Sequence, residues 1–210
     1  MAKKNWYEIM KNILKYVMLL LLIFLCSSGL GTSNTESLIH EWAGIVFFAC
    51  VLFHLIQNRK WFKTLISGKY NLNRLSIMII DLALIVIFIL IVLSSLVISK
   101  FIFSNLNIMD VLLARRIHLS LTAWLFILCC IHYGMHPNFM KKNSIINCIL
   151  IVGGMVIFVY TRFYERLFLL SEFPYMPFEE SWKMYILNVI MCLSFISLGI
   201  ILNKLIKNKK

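Results

Sequence analysis

Charged side chains are scarce in this sequence. They make up 14% of its 210 residues, whereas hydrophobic residues make up 61%. Soluble domains average about 25% charged and 45–50% apolar residues, so the composition excludes an ordinary soluble domain and predicts an integral membrane protein. The lysines and arginines behind the net charge of +12 cluster in short polar segments between hydrophobic runs. This placement favours membrane lipid over nucleic acid as the partner.

Sequence motifs of several cofactor and enzyme classes are missing. The six cysteines form no Cys-x-x-Cys pair and no Cys-x-x-Cys-His signature, which excludes covalent c-type haem attachment. We expect them to be small buried side chains. The sequence has no glycine-rich nucleotide fingerprint and no serine nucleophile elbow. It also lacks a soluble domain that would hold a flavin or NAD, so a subunit that needs redox partners is expected over a self-contained enzyme.

Six hydrophobic runs approach the roughly 20 residues that a membrane-spanning helix needs. They cover residues 13–30, 38–57, 77–99, 110–133, 145–161 and 184–205. The N-terminus resembles a secretory signal, but its apolar run continues almost unbroken from Ile13 to Leu30, so we expect a retained first span. The predicted fold class is an all-α integral membrane protein with six transmembrane helices.

The distribution of basic residues between the loops predicts the orientation. With the N-terminus inside, fifteen of the 21 lysines and arginines lie in inner segments and six lie in outer segments. This positive-inside pattern places both termini in the cytoplasm. It also makes the second and fourth spans run from outside to inside.

Two equally spaced histidine pairs lie in the hydrophobic runs. His40 and His54 are fourteen residues apart, and so are His118 and His132. Fourteen helical residues turn through roughly 1400°, close to four full revolutions, and rise roughly 21 Å. Each pair therefore shares one helix face, with one histidine toward each side of a hydrocarbon core about 30 Å thick. His40 and His118 fall at the outer level, and the other two at the inner level.

Imidazoles paired at two matched depths provide the ligands that two bis-histidine haems need. Neutral imidazole offers a nitrogen lone pair to iron while its second ring nitrogen hydrogen-bonds elsewhere. A histidine inside a span is costly and tends to be functional, and a structural role for four in matched pairs would be a coincidence. We predict two non-covalent b-type haems, one at His40 and His118 and one at His54 and His132.

The histidine helices belong to an internal repeat. An apolar run that ends Ser27-Ser28-Gly29 precedes the first pair, and one that ends Ser94-Ser95-Leu96 precedes the second. Each half is a helical hairpin, and two hairpins would form a four-helix bundle, a usual place for cofactor sites. We predict a dihaem bundle at 1–139 and two further transmembrane helices at 140–210.

Small and apolar residues near the histidines are candidates for the haem surroundings. Gly44, one turn after His40, would let a porphyrin edge approach the backbone, and Phe47 and Leu125 would fill the space between the two haems. Four residues of the repeat would admit a porphyrin similarly: Ser27, Gly29, Ser94 and Ser95. Helix packing through small residues is the alternative.

Charged residues near the histidines are candidates for binding haem propionates. Arg115 and Arg116, within one turn of His118, would pair with the outer propionates, or extend to the membrane interface. For the inner haem the candidates are Arg59, Lys60, Lys141 and Lys142. The outer loop 162–183 would form a cap over the outer haem, a docking surface or an aromatic belt.

His136 and Asp81 lie near the inner face, and the sequence leaves their roles open. His136 falls outside the fourteen-residue match, and we interpret it as a surface or quinone-site group. Asp81 lies near the inner end of the third span. It would either take up a proton in quinone chemistry or pair with a neighbouring cation.

The segments LIHEWAGIVFFACVLFHLIQNRKWF and RRIHLSLTAWLFILCCIHYGMHPNF resemble the histidine helices of the flavinylation-associated cytochrome domain family of bacterial membrane proteins. Ser-Ser-Gly after the first span and FPYMPFEE before the last also resemble that family. The resemblance implies two b haems at the same four histidines in the bacterial plasma membrane. It also implies electron passage from a cytoplasmic or quinol donor to extracytosolic proteins that carry covalent flavin. In the second repeat, Leu96 stands where the first repeat has Gly29 of Ser-Ser-Gly.

The leading hypothesis is a transmembrane electron-transfer subunit with haem irons roughly 20 Å apart. One alternative is a quinol-oxidising or metal-reducing cytochrome with its own substrate site, and a bound quinone is left open. A second alternative is a non-redox transporter or scaffold whose histidines bind protons or metal.

Overall fold

The computed structural model describes residues 2–28, 33–65, 67, 70–103, 110–136, 144–170 and 181–208, and their regular structure is helical throughout. The helices are α1 (Ala2–Ser28), α2 (Asn34–Gln57), α3 (Lys60–Thr64), α4 (Leu72–Ile98), α5 (Val111–Met135), α6 (Ser144–Tyr160), α7 (Phe163–Leu167) and α8 (Ser181–Asn208). Five of them, α1, α2, α4, α5 and α8, are long and apolar enough to cross a membrane. Helix α6 is apolar but has only 17 residues. The chain is therefore all-α with several candidate membrane spans.

The long helices cover the six predicted runs with small differences at their ends. The largest difference is at α1, which begins at Ala2 and not near residue 13. The prediction followed the apolar run alone, whereas lysine is also a good helix former and the helix continues through the basic N-terminal residues. The short helices α3 and α7 were not predicted.

Side-chain caps mark the start of both histidine helices, α2 and α5, and of α4. Ser33 and Glu36 form a capping box at the start of α2, in which the Ser33 hydroxyl accepts from the Glu36 amide at 3.1 Å. The side chain of Asn71 caps α4 and that of Asp110 caps α5, each by accepting a backbone N–H. These caps set the residue at which each helix starts, and hence how far along it each histidine lies.

Residues 1–69 form one compact unit. In it α1 packs against α2. Helix α1 contributes the buried side chains Leu22, Ile23 and Ser27, and α2 contributes Phe47. This unit contains the first histidine helix and the helix that precedes it.

Residues 70–210 form a second compact unit. Helix α5 packs against both α4 and α8, and α8 also packs against α6. A Cβ atom on Gly134 of α5 would overlap the carbonyl oxygen of Ile196 in α8, and one on Gly154 of α6 would overlap Ser194. Glycine therefore allows α8 to approach both neighbours closely. This unit holds the second histidine hairpin together with the last two long helices, and the domain division at residue 139 stays a prediction.

The cysteines are less uniformly buried than predicted. Cys130 of α5 and Cys192 of α8 are buried, with their sulfur atoms 3.4 Å apart. Cys148 is exposed because it lies on the face of α6 that also carries the exposed side chains of Ile145 and Val152. No disulfide joins the six cysteines, all of which lie in described helices.

Candidate functional site

The two histidines that are fourteen residues apart lie, in both cases, on one unbroken helix. Helix α2 carries His40 and His54, and α5 carries His118 and His132. The helical geometry assumed for the fourteen-residue spacing therefore holds in both units. All four side chains are half-buried. We call His40 and His118 the N-terminal pair, and His54 and His132 the C-terminal pair.

Both members of the N-terminal pair contact a serine at the end of the preceding helix. His40 Nδ1 lies 3.2 Å from the Ser28 hydroxyl oxygen. His118 Nδ1 lies 3.1 Å from the hydroxyl oxygen of Ser94 and 3.3 Å from that of Ser95. The Ser-Ser element of the internal repeat thus has the same neighbour in each unit, the Nδ1 atom of the first histidine.

Hydrogen bonds of the two serines fix the tautomer of His118. Ser94 and Ser95 both donate their hydroxyl hydrogens to the carbonyl oxygen of Ile91, at 2.9 and 2.7 Å. Their oxygens can therefore only accept from His118 Nδ1, which must carry the proton. A neutral imidazole protonated at Nδ1 has its lone pair at Nε2, the arrangement that a metal-ligating histidine needs.

His132 has a charged partner in place of serine. Its Nδ1 lies 2.7 Å from the carboxylate of Asp81 on α4, and the side chains are 25% and 15% exposed. The two atoms lie within ion-pair distance, but Asp81 Oδ1 accepts no hydrogen bond from the described residues, so this contact does not assign the tautomer of His132. Asp81 thus lies beside an imidazole, and the two roles that the sequence left open for it stay predictions.

His54 differs from the other three histidines. Its Nε2 atom lies 3.3 Å from the side-chain amide nitrogen of Asn58, which also donates to the His54 carbonyl oxygen at 2.8 Å. Asn58 is the C-cap residue of α2. Metal binding through Nε2 of His54 therefore requires the Asn58 side chain to rotate away.

His136 lies beside the C-terminal pair at the end of α5. Its ring centroid is 4.7 Å from that of His132, in an edge-to-face arrangement. The residue is exposed and is the C-cap of α5. The sequence placed His136 one turn after His132, but its contact with the ring of His132 depends on the side-chain conformations and was not predicted.

Gly44 leaves open space beside the first histidine helix. A Cβ atom built on Gly44 would meet no atom within 4 Å among the residues that the structure describes. Helix packing against the described residues therefore does not account for Gly44, and the same holds for Gly153 on α6. Phe47 and Leu125, each seven residues after the first histidine of its helix, are buried.

The two arginines near His118 have different surroundings. Arg115 is exposed, whereas Arg116 donates to the carbonyl oxygen of Leu169 at 3.2 Å. Ser120 and Trp124 both donate to the carbonyl oxygen of Leu167. Leu167, at the end of α7, and Leu169, just after it, are thus hydrogen-bonded to α5 within six residues of His118. Several predicted participants lie outside the described residues: Gly29, Lys141, Lys142 and the segment 171–180.

The donor set fits a haem better than a bare metal ion. Within the described ranges, no group of three or more His, Cys, Asp or Glu side chains could hold a metal ion. Haem iron needs only axial ligands from the protein, and each compact unit provides two of the four candidate histidines. Nδ1 of three of them meets a serine or aspartate oxygen, and Gly44 provides a space that a side chain would fill.

Comparisons of the chain with protein-family models, with curated proteins and with solved structures found no match. The resemblance to flavinylation-associated cytochromes therefore rests on the histidine helices and the Ser-Ser element.

Proposed function

We propose that this chain is a membrane-embedded dihaem cytochrome of b type that transfers electrons across a bacterial plasma membrane. The N-terminal pair would hold one haem and the C-terminal pair the other. Electrons would pass from a cytoplasmic or quinol donor to extracytosolic partners, with flavinylated proteins as the expected class. In this proposal α6 is the sixth span, because 17 residues rise about 26 Å, close to the thickness of the hydrocarbon core.

The repeated contact at Nδ1 carries the proposal. Each compact unit supplies one histidine whose Nδ1 lies beside the second serine of the Ser-Ser element, Ser28 in one unit and Ser95 in the other. Second-sphere hydrogen bonds of this kind orient ligating imidazoles and fix their tautomer. For histidines that merely bridge helices there is no reason for the same ring nitrogen to be occupied in both units.

The side chains have distinct tasks in this proposal. Bound haem iron would cycle between its ferric and ferrous states and so carry single electrons. His40 and His118 hold one iron, and Ser28, Ser94 and Ser95 orient them. Phe47 and Leu125 exclude water from the apolar region between the two levels.

Four single alanine variants test the pairing of histidines. We expect His40→Ala and His118→Ala to remove the same haem, and His54→Ala and His132→Ala to remove the other. His136→Ala is the matched control, because it removes an imidazole near His132 without removing a proposed ligand. Haem per chain and the redox titration of the remaining haem report the result. Loss of a common haem in His40→Ala and His132→Ala would refute the pairing, and retention of both haems in all four variants would refute the ligand set.

One observation favours a second candidate of the transporter class. Asp81, His132 and His136 place a carboxylate and two imidazoles together at one end of α5, and ionisable groups within a span also serve as proton relays. A purified chain that binds no haem but shows proton-coupled substrate uptake in vesicles would favour this candidate.

A further inference from the structure

The N-terminal pair and the C-terminal pair differ in the charge of the groups that lie beside their Nδ1 atoms. In the N-terminal pair, His40 and His118 meet the hydroxyl groups of serines. In the C-terminal pair, His132 meets the carboxylate of Asp81 at 2.7 Å. A hydroxyl group is neutral, whereas an ionised carboxylate carries a full negative charge. The two proposed haem sites are thus chemically unequal, although the sequence repeat that forms them is regular.

A carboxylate beside His132 favours the oxidised state of an iron held by that ring. Its negative charge stabilises the more positive, ferric iron, and this attraction is stronger at a half-buried site than in water. The polarity around a haem is one of the means by which a protein sets its potential. Asp81 is therefore placed to lower the potential of the C-terminal pair.

Charges near the N-terminal pair have the opposite sign on α5. Arg115 and Arg116 lie three and two residues before His118, and positive charge favours ferrous iron. Glu41, next to His40 in the sequence, also acts on His40 electrostatically, but the group in contact with His40 Nδ1 is the neutral Ser28 hydroxyl. The arginines and the neutral serine partners therefore favour a higher potential at the N-terminal pair.

We infer that Asp81 is a positioning residue that makes the C-terminal pair the lower-potential site, so that electrons flow downhill from the C-terminal pair to the N-terminal pair. The inference rests on the proposed function. The transfer moves one electron, with oxidation at the C-terminal pair and reduction at the N-terminal pair, and no bond breaks. Under the proposed topology the flow runs from the cytoplasmic to the outer face, and a one-electron reductant on the cytoplasmic side must supply it.

Potentiometric titration of the purified full-length protein in detergent tests the inference. The single-haem variants His40→Ala and His132→Ala assign each potential to a site, and we expect the C-terminal pair to have the lower one. Asp81→Asn keeps the shape of the side chain and removes its charge. It should shift the reduction equilibrium of that site at least tenfold toward the ferrous state, about 59 mV for one electron. The other site should be unchanged.

Two further variants complete the test. Asp110→Asn is the matched control, because it removes one carboxylate from the cap of α5, and asparagine still caps a helix; it should leave the C-terminal potential unchanged. If Asp81→Asn loses its haem, Ser95→Asp provides a second test. It places a carboxylate beside His118, in place of the hydroxyl 3.3 Å from Nδ1, and should lower the potential of the N-terminal pair.

The outcomes separate this inference from the proposed function. A wild-type chain without haem contradicts the proposed function. A chain with two haems whose C-terminal potential is the higher one contradicts only the inference. So does an Asp81→Asn variant that keeps both haems with unchanged potentials, or a Ser95→Asp variant that keeps both with no decrease.

Discussion

Side chains of α4 lie beside Nδ1 of both histidines of α5. His118 Nδ1 lies within hydrogen-bond distance of Ser94 and Ser95, and His132 Nδ1 lies 2.7 Å from the carboxylate of Asp81. The sequence predicts the histidines and their spacing because a helix has a fixed geometry. It does not predict these partners, because which residues of α4 face α5 depends on how the two helices are rotated when they pack.

Removing the serine acceptors should weaken haem binding at the N-terminal pair. In Ser94→Ala/Ser95→Ala, His118 Nδ1 loses both hydroxyl acceptors, and loss of such second-sphere partners typically reduces metal affinity 10- to 100-fold. Haem titration of the haem-depleted protein measures the effect. Ser76→Ala is the control, since its hydroxyl bonds only the Leu72 carbonyl oxygen in the same helix. Equal affinities in the two variants would contradict a ligand-orienting role.

A large side chain at Gly44 should remove one haem without weakening the helix. Leucine is a much better helix former than glycine, by nearly 1 kcal/mol, and nothing within 4 Å in the described residues opposes a Cβ there. Gly44→Leu should therefore fold and lose the haem of the N-terminal pair, as measured by haem per chain. Gly153→Leu, at another glycine with open surroundings, should keep both haems. Full haem content in Gly44→Leu would show that the space is not part of the site.

At the scale of the elements, α5 connects the histidine hairpin to the last two long helices. It packs against α4 on one side and α8 on another, and Gly134 and Gly199 allow α5 and α8 to approach closely. The apolar runs predicted which segments form the long helices, but α2 and α4 start four and five residues before the predicted starts at 38 and 77, whereas α5 starts one residue after the predicted 110. The short helix α7 was missed because five residues give no hydrophobic period.

Alanine at Gly134 should destabilise the second compact unit. Its Cβ would overlap the Ile196 carbonyl oxygen, a backbone atom that cannot rotate away. Overpacking of this kind typically costs about 1–3 kcal/mol, which a lower thermal unfolding midpoint in detergent would reveal. Gly153→Ala, where the added methyl group meets nothing within the described part of the chain, should not lower the midpoint. Equal midpoints for the two variants would contradict the close approach of α5 and α8.

At the scale of the whole molecule, the proposal requires the two histidine levels to lie toward opposite faces of one membrane. His54 lies fourteen residues after His40 in one unbroken helix, and His132 lies fourteen residues after His118 in another. Fourteen helical residues rise roughly 21 Å. Five helices are long enough to cross a membrane. The proposal adds the shorter α6 as a sixth span and takes the orientation from the loop charges. The residue spacing predicts how deep each histidine lies along its helix, whereas no pattern in the sequence identifies the electron donor or acceptor.

Reporter fusions should place both termini in the cytoplasm. Fifteen of the 21 basic residues would then be on the inner side, as the positive-inside rule requires. A fusion of alkaline phosphatase after Lys210 should be inactive, and one inserted after Lys100 should be active. The reverse activities would invert the topology, and with it the direction of electron flow inferred from Asp81.

The most direct measurement of the central claim is a dithionite-reduced minus oxidised spectrum of the purified chain, with haem quantified as the pyridine haemochrome. We predict two b haems per chain with the sharp bands of low-spin, bis-histidine iron. A chain that contains no haem after expression with ample haem supply would contradict the account.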